Sequence, residues 1–488
     1  MIAALCFTLA SASPLVLAVG VNRAPVPDVQ ALEFADDDAA AAVELFDREG
    51  RRTWLLTEPD VSSQQRFAAT MSRAVPPTMA SLRRAVKQMA TQLDAEAAGA
   101  DTPVIIWLVG HGAMDEAGQP YLALNDGRLS PDALEQEVLQ PLAAAHRIHV
   151  IIDACHAATL VRWRAAVVPA TPQEAQQAFG GGTREQPRVG YLLAAAAGQK
   201  TYEWNEIRSG VFSALVRAAL RGAADADGNR RITYDEANAY VTAALQGIDV
   251  PDARPTVTAR PPNVEREAAL SRAEWFVDAM GMTVADGRAG ALHIEDARGV
   301  WLTGGLFERA HPAMLWLPRG GGMVLREGTT EWELLEDGSR WVPSDRPLAQ
   351  GARARGPLER ALKEGMFTVP YGPSYWRGYQ AGVGAAAPAE SVVAPKASVS
   401  APSPRRHLVW LAVPAWTLAA AALGITVAVA AVGGWATWQY LTVTYQRQSL
   451  LARNAMVGAG GVGLALVALT AGLTLLAVGV TGVLVWLS

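Results

Sequence analysis

Cysteine is almost absent from this chain, whose 488 residues include only Cys6 and Cys155. Cys6 lies in a short apolar segment, and the Ala-Ser-Ala at residues 10–12 has the small-x-small form of a signal-peptidase site. Removal of residues 1–12 would leave a single thiol, which excludes an intramolecular disulfide and a cysteine-based zinc site. A lone cysteine is either a small buried apolar residue or a reactive thiol, and the residues around Cys155 bear on that choice.

A surplus of basic residues is also missing. The 42 Lys and Arg are outnumbered by 47 Asp and Glu, which gives a net charge of −5. A phosphate-binding surface needs clustered Lys and Arg, so the composition argues against nucleic acid as a partner. The basic n-region of a typical signal peptide is absent as well. Residues 1–12 are therefore either a signal segment, which predicts export, or an apolar N-terminal segment without that role.

Charge is missing from two long apolar stretches near the C-terminus, 408–438 and 455–487. Each exceeds the roughly 20 apolar residues that cross a bilayer, so together they predict a transmembrane helical hairpin; a buried soluble hairpin is the alternative. The Ala-, Pro- and Ser-rich residues 380–406 predict a flexible linker. The expected localisation is the membrane, with the preceding domain on the extracytoplasmic side if residues 1–12 are a signal.

Upstream of the linker, apolar segments alternate with amphipathic ones. Residues 15–21, 103–112 and 149–157 include the unbroken apolar runs that are typical of fully buried strands. Their alternation with helical patterns predicts an α/β domain over residues 14–260, with a mostly parallel sheet flanked by helices. Residues 262–375 instead contain short alternating segments broken by Gly and Pro, which predicts a small β-rich domain.

Two chemically active residues follow predicted buried strands. Functional side chains of parallel α/β sheets gather at the carboxyl ends of the strands. His111 follows one such strand and Cys155 follows another. An imidazole beside a thiol allows the thiol to react as the thiolate, and the N–H groups of Gly112 and Cys155 would donate to a developing oxyanion. The pattern predicts a His/Cys dyad, with a structural role for His111 as the alternative.

These motifs resemble the catalytic domain of the caspase/metacaspase clan of cysteine peptidases, above all its bacterial caspase-like members. The likeness covers residues 14–245. Its elements are an opening strand followed by ADDDA, the strand-end motif WLVGHG, the motif VIIDACHA and the segment SGVFSALVRAAL. The resemblance implies a caspase-like fold, His111 and Cys155 as catalytic residues, and a protein or peptide substrate. The Gln-Ala-Cys signature of animal caspases is absent, because Asp153 replaces the Gln.

The resemblance also implies which P1 side chain, the one before the cleaved bond, is recognised. The residue two before the nucleophile lines the S1 pocket in this clan, and metacaspases, whose pocket is acidic, cut after Arg or Lys. Asp153 stands at that position, and Asp38 matches the acidic residue that joins it. Two carboxylates favour a cationic P1 group. Alternatively, Asp153 caps a helix that starts near Cys155, and residues 36–38 are a solvated acidic helix start.

A second motif concerns metal binding. Residues 225–236 resemble an EF-hand calcium loop. The oxygen ligands in that pattern are Asp225, Asp227, Asn229 and Glu236. Arg230 occupies the place of the usual turn-forming Gly, so a metal-free acidic connection between helices is the alternative. Arg162 stands where metacaspases commonly carry a calcium-binding Asp. Calcium is therefore a candidate ligand of the loop alone, and the dyad chemistry requires no cofactor.

The preferred hypothesis is a membrane-anchored cysteine endopeptidase that hydrolyses peptide bonds through His111 and Cys155 and cuts after Arg or Lys. Two alternatives use the same fold differently. One is a catalytically inactive caspase-like scaffold, and the other is a membrane sensor whose β-rich domain binds a partner. The presence of both dyad residues argues against an inactive scaffold, whereas Ala157 and Ala158, in place of the clan's usual Ser-Gly, argue mildly for it.

Overall fold

Unbroken apolar segments build a six-stranded central sheet. In spatial order its strands are β12 (Thr256–Arg260), β8 (Val189–Ala195), β7 (Arg147–Ala154), β3 (Pro103–Gly110), β1 (Leu15–Gly20) and β2 (Thr53–Thr57). Five strands run parallel, and β12 pairs antiparallel with β8 at one edge. Every residue of β1 and β3 is buried, as expected for strands covered on both faces. The prediction of a mixed α/β fold with a mostly parallel sheet is confirmed.

Helices cover both faces of this sheet. α1 (Ala35–Phe46), α6 (Val211–Ala218) and α7 (Tyr234–Leu245) pack into one apolar core, and α4 (Met79–Ala95) packs into the other. Successive residues of β1 alternate between the two cores, because side chains of a strand point to opposite faces. The shorter helical elements are α2 (Val61–Arg66), α3 (Ala68–Met71), α5 (Pro131–Leu134) and the π-helical turns Glu135–Leu139 and Ala219–Ala223.

Short strands follow the long ones. β4 (Gly112–Met114), β5 (Pro120–Ala123) and β6 (Arg128–Leu129) form a small antiparallel sheet directly after β3. β9 (Glu203–Trp204) and β10 (Ser209–Gly210) form an antiparallel pair that leads into α6. The β4–β6 sheet therefore begins where the chain leaves the carboxyl end of β3, and the β9–β10 pair ends where α6 begins. Elsewhere β11 (Arg231–Thr233) pairs with β13 (Ala269–Arg272).

A second sheet, of seven strands, follows in the chain. In spatial order it contains β16 (Trp301–Gly305), β15 (Leu292–Glu295), β18 (Val324–Glu327), β19 (Thr330–Asp337), β20 (Arg340–Pro343), β14 (Ala279–Val284) and β17 (Ala313–Pro318). All neighbouring pairs are antiparallel except β14 with β20. Its strands lie within residues 262–375, for which the sequence predicts a β-rich domain. A short helix, α8 (Pro373–Gln380), follows it.

The computed structural model describes residues 13–25, 31–46, 50–96, 101–116, 119–154, 187–195, 203–248, 256–276, 279–284, 290–309, 311–328, 330–347 and 365–382. Among these residues no helix is both long enough and apolar enough to cross a bilayer. The predicted signal segment 1–12 and the predicted spans 408–438 and 455–487 lie outside the described residues, as does the predicted linker from residue 383 onward.

Candidate active site

Three parallel strands end side by side at one edge of the central sheet. Gly110, the last residue of β3, pairs with Ala154, the last residue of β7. On the other side of β3, the N–H of Val21 donates to the carbonyl of Val109 at 3.0 Å. His111 and Cys155 directly follow β3 and β7, and Asn22 follows β1 after Val21. Cys155 lies outside the described residues, but its chain neighbour Ala154 is the direct partner of the chain neighbour of His111.

His111 is held in a nearly closed environment. Its side chain is only 7% exposed, and this burial lowers the pKa of the imidazole, against the opposing effect of a hydrogen bond to the backbone of Asn22. An imidazole with a lowered pKa is neutral at pH 7 and able to accept a proton. The side-chain amide of Asn22 in turn donates to the carboxylate of Asp36 at 2.8 Å. Asn22 therefore links His111 to the first turn of α1.

The N–H of Gly112 lies outside the hydrogen bonds of the small sheet. Ala123 donates its N–H to the carbonyl of His111 at 2.9 Å, and Gly112 stands opposite Leu122. Hydrogen-bonded and non-bonded pairs alternate along an antiparallel ladder, so the Gly112–Leu122 pair is non-bonded. The donor predicted for an oxyanion is thus not used by β5.

Asp153 and Asp38, here called the carboxylate pair, meet beside Gly210. A Cβ atom placed on Gly210 would lie 2.8 Å from Oδ2 of Asp153 and 3.1 Å from Oδ2 of Asp38. Oδ2 of Asp153 accepts hydrogen bonds from the N–H and hydroxyl of Ser213 at 3.1 and 2.7 Å. Oδ2 of Asp38 accepts the N–H of Gly210 at 2.7 Å. The structure therefore brings together the two residues predicted to form an acidic S1 pocket.

Burial governs the protonation of the carboxylate pair. Asp153 is fully buried, and desolvation, followed by repulsion from Asp38, raises its pKa to about 7. Burial also raises the pKa of Asp38, although the neighbouring Arg217 acts in the opposite direction. A third carboxyl group, that of Glu203 on β9, has its pKa raised to about 7 by burial and, less strongly, by Asp38. The three acids are thus electrostatically coupled, and burial disfavours the charged form of each.

Asp153 and Asp38 both accept N–H groups at the N-terminus of α6, which is not the helix that the sequence suggested for a cap by Asp153. Asp153 accepts the N–H of Ser213, and Asp38 accepts that of Gly210, which directly precedes α6. Carboxylates at a helix N-terminus satisfy free N–H groups and favour the helix dipole. The helix predicted to start near Cys155 lies outside the described residues, so a cap there stays untested.

The acidic start of α1 is not solvated, contrary to one of the sequence-based alternatives. Asp36 and Asp37 are 0% and 3% exposed. Asp37 forms an ion pair with Arg66 at 3.2 Å, yet desolvation still raises the pKa of Asp37 to about 7. Asp36 accepts the N–H of Asp60 at 3.0 Å. These acids are packed inside the fold, where the charges of Asp36 and Asp38 add to the effect of burial on Asp37.

Sequence reasoning missed several residues that shape this site. They are Asn22, Glu203, Ser209, Ser213 and Arg217. Asn22 follows a buried strand, so the rule that singled out His111 would also have found it. Glu203 accepts N–H groups of the segment before α1, including that of Phe34 at 2.7 Å. Ser209, Ser213 and Arg217 lie in the segment SGVFSALVRAAL that carries the resemblance. Their contacts with Asp38 and Asp153, like that of Glu203, join residues far apart in the chain and so leave no local sequence signal.

The loop between α6 and α7 gathers three of the four predicted calcium ligands. Ligand oxygens of Asp225, Asp227 and Glu236 all lie within 4.8 Å of one another. The oxygen of Asn229 instead accepts the N–H of Arg231 at 2.7 Å. Glu236 also closes a capping box at the start of α7, as the metal-free alternative requires. The geometry is thus compatible with both interpretations of the loop.

Comparison with known proteins adds little to this description. No protein-family model matches the sequence, and no curated protein matches it. The structure is similar to the crystal structure of caspase-1 from Spodoptera frugiperda, with a TM-score of 0.32 and 12% identity over 52% of this chain and 87% of that one. A structure of pro-sf-caspase-1 gives a TM-score of 0.32 and 10% identity over 51% and 91%. At these values the likeness by itself decides nothing about fold or activity.

Proposed function

We propose that the chain is a cysteine endopeptidase of the caspase/metacaspase type, with His111 and Cys155 as its dyad. The observation that carries this proposal is the register of the central sheet, which pairs Gly110 with Ala154. Neighbouring strands lie about 4.8 Å apart. His111 and Cys155 are accordingly the chain neighbours of two residues that face each other at the same edge of the sheet.

In the proposed reaction, His111 takes the thiol proton and the Cys155 sulfur attacks the carbonyl carbon of the scissile bond. The imidazolium then protonates the leaving amine, which departs and leaves a thioester. Water hydrolyses the thioester and restores the thiol. The lowered pKa of His111 keeps the imidazole unprotonated and so supports its role as the initial base. The N–H of Gly112, which β5 does not use, supports a role in binding the oxyanion.

For specificity we propose cleavage after Arg or Lys. The support is the carboxylate pair, in which Asp153 and Asp38 are both buried and face the same point beside Gly210. A cationic P1 side chain would pair with carboxylate there, whereas an Asp side chain would bring a like charge into a partly desolvated site.

The proposed function is tested with peptides that differ only at P1, using the full chain and its Cys155→Ala variant. We expect cleavage after Arg and Lys by the wild type, and loss of both cleavage and labelling by an electrophilic peptide in Cys155→Ala. Cys6→Ala is the matched control, because it removes the other thiol and should retain activity. A folded wild type that is neither active nor labelled would favour the inactive scaffold, and activity in Cys155→Ala would exclude the cysteine mechanism.

We further propose that residues 408–438 and 455–487 anchor the chain in a membrane, on the strength of their length and lack of charge. Calcium remains a proposed ligand of the loop at residues 225–236, supported by the grouping of its three carboxylates. Neither property is needed for the dyad chemistry, so each has its own test in the Discussion.

A further inference from the structure

The carboxylate of Asp38 is fully engaged inside the protein. Asp38 and Arg217 are 1% and 4% exposed, and Nη1 of Arg217 lies 2.7 Å from Oδ1 of Asp38. The hydroxyl of Ser209 also donates to this oxygen, and Nη2 of Arg217 lies 2.9 Å from the same hydroxyl. The other oxygen accepts the N–H of Gly210. Both oxygens of Asp38 therefore have partners before any substrate arrives.

Asp153 differs in this respect. Its Oδ2 is occupied by Ser213, but its Oδ1 is buried and has no hydrogen-bond partner among the described residues. A buried carboxylate oxygen without a partner is unfavourable and gains strongly from a cationic donor. Of the two acids, Asp153 is the one with an oxygen left for a ligand.

We propose that Asp38 does not contact the P1 cation, and that it serves as the counter-ion that keeps the buried charge of Arg217 away from Asp153. Arg217 is then a positioning residue. Arg217 orients Ser209 and Asp38 beside Gly210, and Asp38 neutralises the charge of Arg217. Asp153 is then the carboxylate that binds the substrate. This inference rests on the proposed function and refines the specificity of the same site.

The pair is tested by a double-mutant cycle on the full chain, with Asp38→Asn, Arg217→Met and the double variant. Each is assayed for kcat/KM on a peptide with Arg at P1. In the Cys155→Ala background, each is also titrated calorimetrically with agmatine, a guanidinium compound without a scissile bond. Glu265→Gln is the control, because Glu265 pairs with Arg147 at 2.6 Å at the opposite end of β7 and should change neither quantity.

We expect Asp38→Asn to weaken agmatine binding and lower kcat/KM by about thirty-fold or more, because Arg217 without its counter-ion repels a cation bound at the neighbouring Asp153. Arg217→Met should melt at a lower temperature, since it strands a buried carboxylate, yet bind agmatine at least as tightly as the wild type. The double variant should recover to within roughly five-fold of the wild type. If Arg217 had only a structural role, a variant with a lower melting temperature would also bind agmatine more weakly.

A double variant as impaired as Asp38→Asn would overturn the inference, because Asp38 would then contact the cation directly. The double variant leaves no uncompensated charge, so it decides the question even if a single variant fails to fold. Agmatine binding that follows the expected pattern in a wild type that cleaves no peptide would refute the peptidase and keep the inference. Wild type that does not bind agmatine would refute the inference.

Discussion

At the scale of single residues, Asp153 is a carboxyl group that titrates near neutral pH. Its pKa is raised to about 7, chiefly by burial and secondarily by Asp38. The acid is therefore about half protonated at pH 7 in the free protein and becomes anionic as the pH rises. A cationic P1 side chain gains its partner only in the anionic form. Specificity for Arg should accordingly depend on pH.

We expect the ratio of kcat/KM for an Arg peptide to that for its neutral citrulline analogue to rise from pH 6 to pH 8. One group with a pKa of about 7 predicts a rise of roughly ten-fold. The pH dependence that the dyad contributes is the same for both peptides, because both are cleaved by His111 and Cys155. It therefore drops out of the ratio. In Asp153→Asn the ratio should be low and independent of pH.

The outcome that contradicts this expectation is a folded Asp153→Asn protein whose Arg preference still rises with pH. The preference would then originate elsewhere, with Glu203 as the next candidate because its pKa is also raised to about 7. Equal loss of activity toward both peptides in Asp153→Asn would indicate that its contact with Ser213, rather than P1 recognition, is what activity needs.

At the scale of elements, the loop from α6 to α7 shows how a non-glycine residue accommodates a sharp turn. Arg230 adopts a φ of 63°, the left-handed conformation that the Gly of an EF-hand loop supplies. Its N–H donates to Asp225 at 3.0 Å. The substitution that argued against calcium in the sequence therefore does not prevent the turn, at a conformational cost of roughly 1–2 kcal/mol.

We expect the full chain to bind calcium at this loop and Glu236→Gln to weaken binding, because one carboxylate is lost while the capping of α7 is preserved. Asp235→Asn is the control, since Asp235 lies beside the three grouped acids but not among them. Burial raises the pKa of Glu236 to about 7 and that of Asp225 to about 6. Calcium competes with these protons, so its affinity should rise from pH 6 to pH 8.

Calorimetry with calcium chloride measures both effects. A folded wild type that releases no calcium-dependent heat at pH 8 would leave the loop as an acidic helix connection only. If Asp235→Asn and Glu236→Gln weakened calcium binding equally, the binding would result from general negative surface charge and not from a defined site.

At the scale of the whole molecule, the described elements and the predicted anchor occupy separate parts of the chain. The last described helix, α8, ends at Gln380, and the compact unit that contains the described elements extends only to residue 389. A chain that ends at Pro404 therefore keeps both sheets and every contact described above. We expect it to remain in solution, whereas the full chain floats with membranes in a density gradient. A folded fragment that still floats would disprove the anchor assignment.

Local pattern was sufficient to predict a mostly parallel sheet and the position of His111 directly after one of its strands. Long apolar runs are typical of strands buried on both faces, and His111 is the polar residue that ends the run of β3. Residues 111 and 155 are thus predicted at the same edge of the sheet, provided that the strands before them are parallel. The register that pairs Gly110 with Ala154 was not in the pattern, because it depends on how neighbouring strands pack.

Other properties of the site were decided by the tertiary structure alone. The resemblance singles out Asp38 and Asp153, but the sequence does not reveal that Arg217 forms an ion pair with Asp38. That ion pair joins residues 179 positions apart in the chain, and the Asp153–Ser213 bond spans 60 positions. A buried charge is stable only when the fold brings it a partner. The sequence by itself therefore determined which residues can ionise. The packing of α6 against the sheet edge decided that Asp38 is paired with Arg217, while Oδ1 of Asp153 has no partner among the described residues.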